Sequence, residues 1–145
     1  MRIVLQRVSR AAVEVDGQEL ARIGAGLLAL VCVASGDDAA VTRRAAQKVA
    51  GLRLFEDAAG KMNLDLAGVG GEVLVVSQFT LLADTSRGRR PSFEGAAPGE
   101  VAAPLVELFA DTLRQSGFAV ATGRFAAHMR VELINDGPVT LVLDF

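Results

Sequence analysis

Hydrophobic and polar residues alternate along the first third of the chain, and this pattern predicts β-strands. Residues 2–8, Ala12–Val15 and Gln18–Ile23 alternate over short lengths that are typical of strands. Asp16-Gly17 indicates a hairpin turn, because Gly takes a positive φ without steric cost. The continuous apolar run Leu27–Val33 predicts a central strand buried on both faces. This part of the chain is therefore predicted to be a β-meander.

Two later segments repeat their apolar residues at helical spacing. The first is Ala39–Leu52, preceded by Ser35–Asp38, which offers side chains suited to capping a helix. The second is Pro98–Ser116, and Gly117 is expected to end it. These are the two main predicted helices.

The remaining segments predict further strands and one loop. Short strands are expected at Leu52–Phe55 and Phe118–Ala121, a loop at Met62–Val69, a central strand at Glu72–Leu82, and a final hairpin at Arg130–Phe145. No linker or repeat divides the sequence. We therefore predict one β-rich α/β domain over residues 1–145, with an antiparallel or mixed sheet and two main helices.

The stretch Asn135–Thr140 lies between two strand-like runs, Val131–Ile134 and Val139–Leu143. Asp136-Gly137 favours a turn, and Pro138 fixes its own φ and removes one backbone donor. The stretch is either an ordinary hairpin turn or a rigid backbone segment whose carbonyls face a ligand. Its local sequence supports only the rigidity.

The composition is typical of a globular protein with one hydrophobic core. The chain has 145 residues and is 51% hydrophobic, enough for one sizeable core. No apolar run reaches the ~18–20 residues of a membrane span, and the first residues lack the apolar segment of a secretory signal. The single cysteine, Cys32, lies in an apolar run. These features predict a cytoplasmic protein without a disulfide.

The net charge of −2 argues against nonspecific nucleic-acid binding driven by bulk charge. Positive charge is nevertheless concentrated at Arg87, Arg89 and Arg90, close to Phe93. This segment is either a solvated loop or a contact for a phosphate backbone and a single-stranded RNA end.

The sequence contains few residues that could form a conventional catalytic or metal centre. A Ser-His-Asp triad would need His128, the only histidine, and no Gly-x-Ser-x-Gly motif is present. Ser77 and Thr80 are candidate nucleophiles with no base nearby in sequence. No set of residues has metal-ligand spacing, so neither a metal nor another cofactor is predicted.

Polar residues Ser77, Gln78 and Thr80 follow an apolar run. If the predicted strand continues through them, Ser77 and Phe79 share one face while Gln78 and Thr80 share the other. Such groups are costly to bury without partners. They either bond to neighbouring loops or line a pocket at the strand end.

Two motifs in the sequence resemble those of a known protein family. Val75–Leu81 and Asn135–Thr140 resemble the two signature motifs of the D-aminoacyl-tRNA deacylases, and further matches follow in order along the whole chain. Those further matches are Gln6–Val8, Ile23–Leu28, Gly60–Asn63, Arg90–Phe93 and Gly123–Phe125.

The resemblance implies a barrel-like homodimer with active sites at the subunit interface. The implied reaction is hydrolysis of the ester between a D-amino acid and the terminal adenosine of tRNA, and glycine mischarged on alanine tRNA is implied as a second substrate. The implied partner is the acceptor end of aminoacyl-tRNA.

The resemblance also implies roles for particular residues. Gly137-Pro138 is expected to be a cis peptide that reaches the neighbouring subunit's pocket and excludes L-amino acids, with Arg7 holding it. Phe125 and Met129 are expected to line the adenosine pocket. The ester region is expected to be bound by Ser77, Gln78, Phe79 and Thr80.

The mechanism stays open between two hypotheses. Thr80 acts as a nucleophile through an acyl-enzyme, or the ribose 2′-OH of the substrate assists water while the protein positions the ester. Two other functions are alternatives: a non-catalytic module that binds the tRNA end or a D-amino acid, and a general esterase built on Ser77 and His128.

Overall fold

A computed structural model describes residues 1–145, with eight strands, two α-helices and one 3-10 helix. The strands are β1 (Arg2–Val15), β2 (Gln18–Ile23), β3 (Gly26–Cys32), β4 (Phe55–Glu56), β5 (Met62–Leu64), β6 (Glu72–Ser77), β7 (Val120–Thr122) and β8 (Met129–Asp144). The helices are α1 (Ala39–Ala50), the 3-10 helix (Phe79–Leu82) and α2 (Gly99–Gln115). The two main predicted helices are confirmed.

Six strands form one mixed sheet in the order β2-β1-β3-β6-β7, with β8 also paired to β1. The β3–β6 and β6–β7 pairs are parallel, whereas β1 pairs antiparallel with β2, β3 and β8. Strand β2 also approaches β6 and β7 at the far end of the sheet order, so the sheet curls toward a barrel. Strands β4 and β5 form a separate hairpin.

The predicted meander is wrong in its pairing. Residues 2–15 form one long strand, whose second half pairs with β2 after the Asp16-Gly17 turn, as predicted. Its first half pairs with β3, from Arg2 opposite Cys32 to Val8 opposite Gly26. Strand β3 therefore returns beside β1, because a long strand can hold two shorter partners along one edge.

The predicted C-terminal hairpin is also wrong. Both halves of β8 pair with β1, Met129–Asn135 with its second half and Thr140–Asp144 with its first. Asn135 lies opposite Val8 and Thr140 opposite Gln6, so residues 136–139 leave the ladder opposite Arg7. The Asp-Gly turn signal thus marks an enlarged β-bulge, the 136–139 bulge, within one strand.

Three smaller expectations also need correction. Strand β6 ends at Ser77, so the predicted alternation of faces through Thr80 does not occur. The predicted strand at Leu52–Phe55 is reduced to β4, and part of the predicted loop at Met62–Val69 is β5.

The larger core cluster lies between the two helices and one face of the sheet. Ala45, Val49 and Phe109 from the helices pack there against strand residues such as Leu5 and Val75. A second cluster, including Leu28 and Leu74, fills the opposite face. Strands β3 and β6 are therefore buried on both faces, as their apolar runs predict. No helix is long and apolar enough to cross a membrane.

Gly26 permits the close parallel approach of β3 and β6. A Cβ atom there would clash with the backbone of Glu72, lying 2.7 Å from its nitrogen. We expect Gly26→Ala to lower the free energy of unfolding by about 3 kcal/mol, because backbone atoms must move to relieve the clash. Urea denaturation measures this. Gly24→Ala is the matched control, since its Cβ would meet only a side-chain oxygen of Glu72 at 3.5 Å, and an equal loss in both variants would contradict the explanation.

Candidate active site

An apolar cavity of about 590 Å³ opens where β3 and β6 end, beside the start of α2 and the segment before β8. Fifteen of its 19 lining residues are hydrophobic. Five residues predicted for the site are among them: Ser77, Gln78, Phe79, Phe125 and Met129. The fold thus brings the end of the first motif together with two residues from a segment about 50 positions later.

Backbone geometry explains why polar residues face this cavity. Gln78 continues the ladder by one bond, from its N–H to the carbonyl of Val31 at 2.8 Å. The chain then turns into the 3-10 helix, which leaves Thr80 exposed and Phe79 58% exposed. The side-chain amide of Gln78 donates a short hydrogen bond to the hydroxyl of Thr80. Thr80 does not itself line the cavity, but its hydroxyl is oriented by Gln78, which does.

No base contacts the candidate nucleophiles within the chain. The hydroxyl of Thr80 is bonded to Gln78, and no hydrogen bond joins His128 to Ser77, although both line the cavity. The Cys32 thiol donates to the carbonyl of Phe79 at 3.4 Å, and burial raises its pKa. Cys32 is thus a neutral thiol at physiological pH and a poor nucleophile.

Aromatic and sulfur-containing side chains shape the entrance. The rings of Phe79 and Phe93 meet edge to face, with their centroids 5.0 Å apart. Phe125 is 39% exposed, and Met129 lies so close to Gly123 that a Cβ there would be 2.7 Å from its sulfur. Flat apolar surfaces of this kind suit the face of a planar base.

Side chains from two strands hold the 136–139 bulge. Arg7 is 6% exposed; its Nε donates to the Asp136 carbonyl at 3.0 Å and its Nη1 to the Leu54 carbonyl at 2.7 Å. The amide of Asn135 accepts from the N–H of Val139 and donates to its carbonyl, both at 3.0 Å. Asn135 thus replaces the ladder bonds that the bulge interrupts.

The tip of the bulge is exposed. Gly137 and Pro138 are exposed, and the peptide between them is cis, as the resemblance implies. Neither residue lines the cavity of its own chain, and neither does Arg7. The predicted site residues therefore form two separate groups, one around the cavity and one at the bulge.

Three residues at the site are not among the catalytic and binding residues predicted from the sequence. The sequence shows Asn135 only as part of a motif, because its role depends on a bulge that local sequence does not reveal. The sequence suggests only RNA stacking for Phe93, because its contact with Phe79 joins residues 14 positions apart. His128 lines the cavity without a predicted role. No three or more His, Cys, Asp or Glu side chains converge as a metal site.

Comparison with known proteins places this geometry in a family. The family model described as D-Tyr-tRNA(Tyr) deacylase matches residues 4–144. Proteins named D-aminoacyl-tRNA deacylase from Thermomicrobium roseum and Roseiflexus sp. (strain RS-1) are 60% and 58% identical over 144 residues. These alignments cover 99% of this chain and 94% and 93% of the relatives, respectively.

Solved structures agree in fold. The structure titled c-Myc DNA Unwinding Element Binding Protein is 36% identical with a TM-score of 0.93, and the match covers 100% of this chain and 99% of that one. A probable eukaryotic D-amino acid tRNA deacylase shares the fold at 18% identity, with a TM-score of 0.85 and 99% and 98% coverage. With the family model matching nearly every residue, the chain belongs to the D-Tyr-tRNA(Tyr) deacylase family, whose members are hydrolases that act on ester bonds.

Proposed function

We propose that this protein hydrolyses the ester that joins a D-amino acid to the terminal adenosine of tRNA. The observation that carries the proposal is the cavity, in which Ser77, Gln78 and Phe79 of one signature motif meet Phe125 and Met129. Relatives about 60% identical over almost the whole chain bear the name of this activity. The absence of a conventional triad fits a reaction in which the substrate itself takes part.

The cavity suits the adenosine end of the substrate. Its wall is mostly apolar, and Phe79, Phe93 and Phe125 lie around the entrance. An adenine ring can stack on such surfaces. The ester would then lie near Gln78 and Thr80, whose hydroxyl already has a fixed orientation.

Chiral selection is assigned to the carbonyls of Gly137 and Pro138. A backbone selector contacts the groups on the α-carbon and is indifferent to side-chain identity, which suits a broad range of D-amino acids. An L-amino acid meets a steric clash, and rejection requires no new attraction. Glycine has no side chain to clash, so glycine on alanine tRNA is proposed as a second substrate.

The selector and the cavity meet only if two chains associate. Gly137 and Pro138 are exposed and lie outside the cavity of their own chain. Val142 and Ile134 on β8 are 63% and 48% exposed, which leaves an apolar strand surface for a partner. We therefore propose a homodimer in which each bulge enters the other subunit's cavity.

Mixing a Gly137 variant and a Gln78 variant, each chosen because it lacks turnover of D-tyrosyl-tRNA, tests this arrangement. A subunit altered at Gly137 and a subunit altered at Gln78 each carry one intact half of the site. Random reassociation gives a mixed dimer with one complete site, so about a quarter of parental activity should return. Return of no activity, with mixed dimers demonstrated by mass spectrometry, would contradict a shared site.

For the chemistry, we propose that the terminal 2′-OH assists a water molecule. The water oxygen attacks the ester carbonyl and gives up one proton, the bond from that carbon to the ribose 3′-oxygen breaks, and the 2′-OH relays the proton to the 3′-oxygen. The hydroxyl of Thr80 accepts a hydrogen bond from Gln78 and has no base beside it. It is therefore better suited to donate a hydrogen bond to substrate than to attack.

Thr80→Ala separates the two mechanisms. If Thr80 only positions the ester, kcat should fall by no more than about tenfold, because one hydrogen bond is lost. Loss of a nucleophile would reduce kcat by several orders of magnitude. Single-turnover kinetics measure the step, and Thr80→Ser is the control that keeps the hydroxyl. Near-complete loss with tRNA binding intact, and an acyl-enzyme trapped in the parent, would contradict assistance by RNA.

The function itself is tested with purified protein and D-tyrosyl-tRNA, with L-tyrosyl-tRNA as the stereochemical control. We expect release of D-tyrosine only. No turnover of the D-substrate would exclude the proposed activity and leave a binding module as the alternative.

We place the reaction in the cytoplasm, where aminoacyl-tRNA is used; the free, buried Cys32 is compatible with that compartment.

A further inference from the structure

Charged side chains divide the surface into two regions. Of the 15 basic residues, the seven outside residues 43–90 each have a carboxylate within 4.0 Å: Arg2, Arg7, Arg10, Arg22, Arg114, Arg124 and Arg130. The eight inside that range have none: Arg43, Arg44, Lys48, Arg53, Lys61, Arg87, Arg89 and Arg90. Although the protein has a net charge of −2, all of its basic residues without a carboxylate partner lie within residues 43–90.

Carboxylates in this stretch bind backbone groups. Asp57 accepts from the N–H groups of Ala59 and Lys61, Asp65 from Gly68, Glu72 from Gly24, and Asp84 from Ser86. The hydrogen bond from the N–H of Ser86 lowers the pKa of Asp84. The Asp84 carboxylate therefore stays charged while it binds the backbone of its own loop. The neighbouring arginines remain available to an external anion.

Three of the unpaired arginines lie beside the cavity. Arg87, Arg89 and Arg90 belong to the basic loop, residues 87–90, whose base is closed by two hydrogen bonds between Asp84 and Ser92 at 2.8 and 2.9 Å. Phe93, the next residue, lines the cavity. The basic loop therefore extends from the rim of the cavity.

The exposed face of α1 carries three further unpaired cations. The segment before α1 is joined to the segment after the basic loop by bonds from Ser35 N–H to the Gly95 carbonyl at 3.0 Å and from Ala97 N–H to the Val33 carbonyl at 2.9 Å. Arg43, Arg44 and Lys48 are exposed on the helix that follows.

The arginines close in sequence to His128, which also lines the cavity, have carboxylate partners. Beside His128, Arg124 faces Asp16 at 3.9 Å and Arg130 faces Glu14 at 3.5 Å. A phosphate there would approach carboxylates as well as arginines. The segment around His128 is therefore less attractive to RNA phosphates than the basic loop.

We propose that the acceptor strand of tRNA leaves the cavity across the basic loop, and that this loop and the exposed face of α1 bind its phosphates. The proposal rests on the proposed function, since it takes the terminal adenosine to occupy the cavity. Arginine forks suit phosphate oxygens, and such contacts position the RNA without reading its sequence.

Two triple variants test the proposal at equal change in net charge. The first, R87A/R89A/R90A, removes unpaired arginines of the basic loop. The control, R22A/R114A/R130A, removes three paired arginines, one of them next to the cavity-lining Met129 in sequence. Kinetics are measured on D-tyrosyl-tRNA from low to high salt, and on the D-tyrosyl ester of adenosine, which has no phosphate. Circular dichroism and thermal unfolding verify that both variants are folded.

For the loop variant we expect KM for tRNA to rise roughly tenfold or more near 0.15 M salt. The slope of log KM against log salt should fall by about 2–3, about one for each lost phosphate contact. Kinetics on the adenosine ester should equal those of the parent, and the control triple variant should keep the parental salt slope.

Equal KM and equal salt slope in the loop variant and the parent would overturn the proposal. An equal effect in both triple variants would also overturn it, because net charge alone would then explain the result. If the parent hydrolyses neither substrate, the proposed function fails. Binding of uncharged tRNA to the parent and the loop variant then decides whether this surface holds RNA.

Discussion

Arg7→Ala is expected to lower the free energy of unfolding by about 3 kcal/mol and to weaken discrimination between D- and L-substrates. Arg7 is buried and donates to two carbonyls, of Asp136 and Leu54. Charge-assisted bonds of this kind are worth about 1.5–3 kcal/mol each, and the Leu54 carbonyl would be left without its partner. Urea denaturation at one fixed protein concentration measures the loss, because association alters apparent stability.

Arg10→Ala is the matched control for this prediction. Arg10 lies on the same strand but is exposed, and its pair with Glu132 is solvated, so a loss below about 1 kcal/mol is expected. Arg7→Lys keeps the charge without the planar fork and should fall between the two. Equal losses for Arg7→Ala and Arg10→Ala would show that Arg7 does not hold the bulge.

Gly137→Ala is expected to reduce the ratio of kcat/KM for D- over L-aminoacyl-tRNA by about 100-fold, the effect of displacing a positioning group by about 1 Å. Gly137 has φ +134°, and a Cβ there would lie 2.8 Å from the Val139 side chain and 2.9 Å from Nη2 of Arg7. The bulge must therefore shift. If its carbonyls move outward the L-substrate gains access, and if they move inward the D-substrate is excluded, so the ratio falls in both cases.

Gly117→Ala separates backbone strain from this effect. Gly117 has φ +92° and no atom within 4 Å of the added Cβ, and it follows α2, outside the bulge and the cavity. Its substitution should cost about 1 kcal/mol of stability and leave the D-to-L ratio unchanged. A parental ratio in Gly137→Ala would exclude the bulge as the selector.

Local sequence was a good guide to elements whose signals are themselves local. Helix α1 begins after Asp38, whose carboxylate accepts from the N–H of Val41 at 2.9 Å, and Gly117 follows the end of α2. The run Leu27–Val33 became a strand buried on both faces. Capping, helical spacing and continuous hydrophobicity act over a few residues, so they can be recognised without knowledge of the fold.

Pairing between distant segments was predicted less well. Asp136-Gly137 gives the same turn signal in a hairpin and in a bulge, because positive φ at Gly does not determine which strand lies alongside. Only the ladder with β1, on both sides of the 136–139 bulge, distinguishes the two. The end of β6 at Ser77 was missed for a related reason, since the β3 partner ladder ends at that point.

The sequence by itself determined the two helices, the β-rich class, the turn at Asp16-Gly17 and the family, because capping residues, periodicity and motifs are properties of the chain in order. Tertiary structure alone decided that residues 136–139 form a bulge instead of a hairpin turn, and that five predicted site residues share one cavity while Gly137 and Pro138 lie outside it. It also decided which arginines meet a carboxylate. Each of these features depends on contacts between segments distant in sequence. Such contacts form only when the long strand β1 pairs with β2, β3 and β8.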